Sequence, residues 1–280
     1  MPESKQENEP KAFDFLGEAS VTEWMKKRLQ WVTVGLLVVI AGFFFLRRNR
    51  KEPMYDDRPV SYWQSEFPSG EAVTALASFG SNSIPFLIKA LFRQPSPLDR
   101  AYSVAVSNLP AAGALQSGVF DADWCNARAA TALGKIGPAA SSAVPALVNS
   151  LTNAFYGTRN NAVVALGQIA PHTSVENLAV QGLMKATGDA DENTRANACF
   201  SLGKFAPGAT NAIPTLQLGL SDSKRQVRLS ALIAMSEFSA AAAACVPEIR
   251  KCLEDRDIFV RKTATNAIQQ ILGSSESQMK

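Results

Sequence analysis

The sequence predicts an all-α protein: a solenoid of stacked helix pairs preceded by one membrane-spanning helix. Three observations carry this. Trp31–Leu46 is sixteen residues without a charge. A five-residue block with small residues at its first and fourth places returns at near-constant spacing. Most copies are followed by a proline placed to open a second helix, where its missing N–H would be unpaired anyway.

The span comes first. Leu29-Gln30 extend the uncharged run, Lys26-Lys27-Arg28 precede it and Arg47-Arg48-Asn49-Arg50-Lys51 follow it. A helix over 29–47 is long enough to cross about 30 Å of hydrocarbon, helped by basic residues that snorkel at each end. It is apolar all round, whereas a core helix of a soluble domain shows a polar face. No small-x-small cleavage site follows Leu46, so the segment reads as a retained anchor. The basic residues on its two sides are too evenly matched to set its orientation. Residues 1–28 form a polar, disordered tail and 48–60 a linker.

From residue 61 to 272 the repeat takes over, leaving 273–280 as a tail. Ala129-Ala-Thr-Ala132-Leu133 returns as Ala162-Val-Val-Ala165-Leu166, Ala198-Cys-Phe-Ser201-Leu202, Ala231-Leu-Ile-Ala234-Met235 and Ala264-Thr-Asn-Ala267-Ile268, at spacings of 33, 36, 33 and 33. Ile136, Ile169, Phe205, Phe238 and Ile271 stand seven after each first residue, completing a buried helix stripe. The small residues let neighbouring helices approach closely. An earlier copy, Ala72-Val-Thr-Ala75-Leu76, lies 57 before the first. Arg100–Ala105 is a candidate degenerate copy in that gap, and an insertion is the other reading. The second helices open at Val144-Pro145, Ile213-Pro214 and Val246-Pro247, with Leu178 standing where proline would be. Such helix pairs form an α-solenoid.

Within each repeat six residues separate Asp189 from Arg195, Asp222 from Arg228, and Asp255 from Arg261, with Asn153 and Arg159 in the same places. The carboxylate falls in the turn between helices, where it can accept backbone N–H bonds. The arginine opens the next helix, within reach of a neighbouring repeat's aspartate. The fixed spacing favours a structural ladder over a ligand-binding row.

A proline-bearing helix, an aspartate turn, an arginine, then A-x-x-A-L with an aliphatic residue three further on resembles the HEAT repeat and its bacterial HEAT-like variants. The likeness covers about 70–91 and 124–272. It implies a right-handed superhelix whose second helices line a concave face, and protein binding and scaffolding rather than catalysis. Tyr55-Asp-Asp-Arg58-Pro-Val60-Ser-Tyr-Trp63 is similar to a leader before such repeats in some membrane-anchored bacterial proteins.

Composition narrows the function. Residues 53–280 carry nineteen Lys and Arg against eighteen Asp and Glu, which is not the footprint of a nucleic-acid binder. The single histidine, His172, lies in the turn Ala170-Pro-His-Thr-Ser174, which fits a solvated position better than a catalytic one. It also excludes the His-Glu ligand pairs of HEAT-like di-iron hydroxylases. Cys125, Cys199, Cys245 and Cys252 form no C-x-x-C pair and read as buried thiols. Asp189-Ala-Asp191-Glu192 lacks the glycine and terminal glutamate of a calcium loop. Trp63 and Trp124 are expected to plug the ends of the stack. No cofactor, metal or catalytic residue is called for.

What remains is a surface. Arg128 and Lys135, Asn161 and Gln168, and Asn197 and Lys204 are pairs seven apart, so each shares a helix face. This polar, mildly basic stripe suits a peptide or an acidic protein partner. Two alternatives stay open: a lyase- or isomerase-type enzyme using the groove as a pocket, as in HEAT-like phycobilin lyases, and an envelope protein self-associating through Gly35 and Gly42 or its end repeats. Gly134-Lys135-Ile136-Gly137 looks like a phosphate loop in isolation. Its return as Leu166-Gly-Gln-Ile169 and Leu202-Gly-Lys-Phe205 makes it helix punctuation instead.

Overall fold

Small residues at the first and fourth places of each block leave room for a neighbouring helix, and the structure, a computed structural model, shows helices in that room. It describes residues 52–94 and 122–278, together with Arg28 and Val32, with side chains as far as Gly273. The tail (1–28, Arg28 aside), the proposed span (29–47, Val32 aside) and Arg100–Ala105 therefore lie outside the described residues. Among the described residues no helix is long and apolar enough to cross a membrane. Met1–Glu52 is one unit and Pro53–Lys280 another, and the second holds the repeats.

A two-stranded antiparallel hairpin, β1 (Met54–Tyr55) and β2 (Arg58–Pro59), opens this second unit. The helices are α1 (Val60–Ser65), α2 (Gly70–Ser78), α3 (Ile84–Ala90), α4 (Ala122–Ile136), α5 (Val144–Ser150), α6 (Tyr156–Ile169) and α7 (Glu176–Ala186). They continue with α8 (Glu192–Gly203), α9 (Ile213–Gly219), α10 (Arg225–Glu237), α11 (Val246–Lys251) and α12 (Ile258–Gln278). Proline sits in the first turn of α3, α5, α9 and α11. Ser69 and Asp191 cap α2 and α8 by accepting from Ala72 N and Thr194 N.

Helices α2, α4, α6, α8, α10 and α12 each pack on the next, and every short helix from α3 to α11 packs on the helix that follows it. The block residues are the core: Ala129, Ala132, Leu133, Ala162, Leu166, Ala198, Leu202, Ala231 and Ala264 are fully buried. A Cβ on Gly203 would stand 2.8 Å from Ala234 Cα, and one on Gly167 2.7 Å from Ser201 Cβ. These glycines, with Gly134 against Ala165, are inside helices and set the spacing between repeats. The punctuation is done by Gly137 alone, at φ 72° at the start of a 3-10 segment.

Two boundaries expected from the sequence shift, and one neighbour relationship is added. The linker 48–60 is folded from Met54: Asp56 and Asp57, at φ 49° and 56°, make the tight hairpin turn, and Trp63 Nε1 donates to Tyr55 O at 3.1 Å. Residues 273–280 are not a loose tail as far as Gln278, because α12 meets no proline after Gly273. Finally, α2 lies directly on α4. Asn126 ties them through the turn, accepting from Arg93 N at 3.0 Å and donating to Arg93 O at 3.3 Å. The helices on either side of residues 95–121, which lie outside the described residues, thus pack as neighbours in the stack.

The stack ends by a change of chemistry. The places held by buried Ala130, Val163, Cys199 and Leu232 pass to exposed Thr265, and those of Gly134, Gly167, Gly203 and Ser236 to exposed Gln269. A polar outer face is what a terminal repeat needs.

Candidate binding face

The arginine–aspartate ladder fixes the register on which the face is built. Arg159 grips Asp189 with Nε–Oδ2 at 2.7 Å and Nη2–Oδ1 at 2.8 Å. Arg195 does the same to Asp222, and Arg228 to Asp255. Each arginine reaches the aspartate of the following repeat. Its Nη1 turns back to the carbonyl six residues earlier, of Asn153, Asp189 and Asp222 respectively. Arg261 Nη1 repeats this on Asp255 O at 2.7 Å. Each aspartate also accepts from the backbone N–H two residues on, at 2.8 Å.

Burial works to raise the Asp189 and Asp222 carboxyls. The arginine bonds, the backbone N–H and the neighbouring guanidinium charges outweigh it and hold both below the usual carboxylate range. At Asp255 the Arg228 bond is the largest influence, in the same direction. The pairs are at most 16% exposed. They occupy the turns and leave the helix faces free for other work.

On that frame the sequence-predicted residues divide. Lys135 on α4, Gln168 on α6 and Lys204 at the C-cap of α8 are exposed, with Lys135 Nζ donating to Thr74 Oγ1 at 3.3 Å. Lys204 Nζ stands 5.4 Å from the centre of the Phe200 ring. Arg128, Asn161 and Asn197 are half-buried between helices. Asn161 Nδ2 donates to Ala127 O at 3.1 Å and Asn197 Nδ2 to Asn160 Oδ1 at 2.8 Å. These two amides join repeats as well as facing outward.

Sequence reasoning missed the row between them. The third place of the block, four before Lys135 and its equivalents, holds Thr131, Val164, Phe200 and Ile233. Phe200 and Ile233 are 45% and 39% exposed. The signal was there: a large apolar residue at a place the core stripe does not use. Trp124 is on the same stripe and is a correction, for it plugs nothing. It is 55% exposed, beside the Phe155 ring at 6.2 Å and under the Arg128 guanidinium at 5.9 Å. Trp63, by contrast, is buried against Tyr55 and Tyr62 at the first end of the stack, with Phe79 on the Tyr55 ring.

The groups with chemical potential are dispersed. All four cysteines are buried and none forms a disulfide. Burial pushes the Cys199 thiol up to about 12 and raises Cys245 and Cys252 as well, the opposite of what activates a thiolate. His172 is an exposed turn residue at φ 61° whose N–H donates to Glu176 Oε2. Asp191 is the α8 cap. Among the described residues no three His, Cys, Asp or Glu side chains converge on a metal-sized site.

No protein-family model matches the sequence, and no curated protein matches it. Solved structures do. An engineered protein is 22% identical, with 79% of this chain and 98% of that one covered at a TM-score of 0.50. The CpcE–CpcF complex of phycocyanin lyase from Nostoc sp. PCC7120 is 21% identical over 66% and 98% of the two chains, TM-score 0.45. A designed armadillo repeat protein in complex with the peptide (KR)4 is 22% identical over 74% and 96%, TM-score 0.44. Likeness at this level speaks of fold alone. The class is that of helical-repeat proteins; the chain is a HEAT-like α-solenoid.

Proposed function

We propose that the protein is a non-catalytic scaffold, anchored in the membrane by residues 29–47, that binds another protein or a peptide on the exposed face of its long helices. In solenoids of this kind that is the concave face. One observation supports this above the rest. Exposed Phe200 and Ile233 continue half-buried Val164 in an apolar row on three consecutive helices, bordered by Lys135, Gln168, Lys204 and Glu237. Outward-facing apolar side chains rimmed by polar ones are what a docking surface presents.

The stripe also has a charge preference. Along α4, α6 and α8 with its C-cap it carries Arg128, Lys135 and Lys204 and no acidic side chain at places 124, 128, 131 and 135 and their equivalents, the one acid being Glu237 at the far end on α10. A segment with acidic and apolar side chains is the complementary partner. Binding is docking without covalent chemistry, with affinity concentrated on the Phe200–Ile233 centre.

The test is purification of the full chain with its anchor, after crosslinking in intact cells. A stoichiometric partner that is lost when Lys135→Glu and Lys204→Glu are combined supports the reading. Recovery of the chain alone, or a partner indifferent to the double reversal, contradicts it.

A further inference from the structure

A second surface, away from the long-helix face, has its own chemistry. Between α1 and α3 lies an open groove of ≈ 490 Å³ walled by Phe67, Phe86 and Phe92, with Lys89, Arg93 and Gln64 at its lip. Phe67 is buried and meets Phe86 edge to face at 5.6 Å, which makes a rigid floor. Phe92 is 40% exposed. Lys89 and Arg93 are both exposed, and no acidic side chain is among the described residues that line the groove. Its size is within the range of small-ligand sites, roughly 300–1,000 Å³.

An aromatic trough with two cations and an amide at the lip matches a molecule that is apolar along its length and anionic at one end. We propose that this groove holds one anionic phospholipid of the bilayer, its phosphate between Lys89 and Arg93 and the start of an acyl chain over Phe67, Phe86 and Phe92. The choice of a bilayer lipid rests on the membrane anchoring proposed above. Anionic headgroups of a bilayer attract lysine and arginine side chains.

The full chain is reconstituted into vesicles of phosphatidylcholine with phosphatidylglycerol, one lipid at a time carrying a photoreactive acyl chain. Labelling of the peptide containing Phe86 and Phe92 by photoreactive phosphatidylglycerol, and its loss in the Lys89→Glu/Arg93→Glu chain, is the expected result. Arg93 Nη1 also donates to Cys125 Sγ at 3.8 Å, so Lys89→Glu alone is run beside the double variant and is expected to weaken the labelling without moving the melting temperature. Equal labelling by the two lipids, labelling that survives the double reversal, or no labelling overturns the proposal. A second arm titrates the chain in non-ionic detergent with a soluble short-chain phosphatidylglycerol, followed by calorimetry. Heat that vanishes in the double variant supports the site, and its absence in the unaltered chain counts against it. Alkaline carbonate extraction tests the anchor separately: a chain released from membranes fails the anchoring reading, while the calorimetric arm still decides the groove.

Discussion

The Arg228 guanidinium forks onto the Asp255 carboxylate of the next repeat, Nε–Oδ2 at 2.7 Å and Nη2–Oδ1 at 2.8 Å, while its Nη1 holds the Asp222 carbonyl at 2.8 Å. One side chain therefore ties two successive turns. Arg228 is 5% exposed. Replacing it by alanine leaves a buried carboxylate and a carbonyl without their donor, at a cost of about 3 kcal/mol. Arg228→Lys keeps the charge but loses the planar fork. Thermal melting followed by circular dichroism should place lysine nearer to alanine than to arginine. A lysine variant that melts with the unaltered chain would mean the fork is dispensable.

The same ladder sets a pH dependence. The folded-state pKa values of Asp189, Asp222 and Asp255 are lowered. Their contribution is therefore complete above the unfolded carboxylate value of about 3.9 and is lost as pH falls below it towards the folded values. Melting temperature should hold near neutrality and drop through that acid window. Asp222→Asn should flatten the drop while lowering the neutral-pH stability. A profile unchanged by the substitution would place the acid sensitivity elsewhere.

Gly203 is the closest approach of one repeat to the next backbone. Gly203→Val would push against Ala234 Cα, with an expected penalty of about 1–3 kcal/mol for overpacking. Valine at Gly273, where a Cβ meets nothing within 4 Å, is the control and should cost under about 1 kcal/mol. Equal melting of the two variants would remove the spacer role from Gly203.

Asn126 ties α4 to the end of the turn after α3. Asn126→Ala removes the amide partner of the Arg93 carbonyl and leaves the Arg93 N–H only its 3.2 Å bond to Ala90 O, at a cost of roughly 1 kcal/mol. Hydrogen exchange should show faster exchange at Arg93 and in α3, with α8–α12 unaffected, since repeats couple mainly to their neighbours. Uniform acceleration along the chain would show that distant repeats unfold together, against nearest-neighbour coupling.

Much of this architecture is legible in the sequence because it is local and repeated. Ala-x-x-Ala-Leu needs only helical periodicity, and the Asp–Arg spacing of six is visible as letters. Asp56-Asp57 as a hairpin turn was not legible, since two aspartates at positive φ carry no glycine or asparagine signal. Nor was the adjacency of α2 and α4: a gap of 57 residues gives no sign that the helices on its two sides touch, as they do, with Asn126 bonded to Arg93. The binding face was half legible. Charged and amide side chains such as Lys135 and Gln168 announce a surface, whereas Phe200 and Ile233 look like core until the packing shows them outside.

Partner docking on the long-helix face is tested most directly by photocrosslinking in living cells, from a benzoylphenylalanine placed at one position at a time. Phe200 samples that face. Leu218, 78% exposed on the short helix α9, samples a surface assigned no partner. A discrete adduct from position 200, absent from position 218 and abolished by Lys135→Glu with Lys204→Glu, is the predicted result. No adduct at 200, or the same adducts from both positions, would contradict the assignment of that face to partner binding.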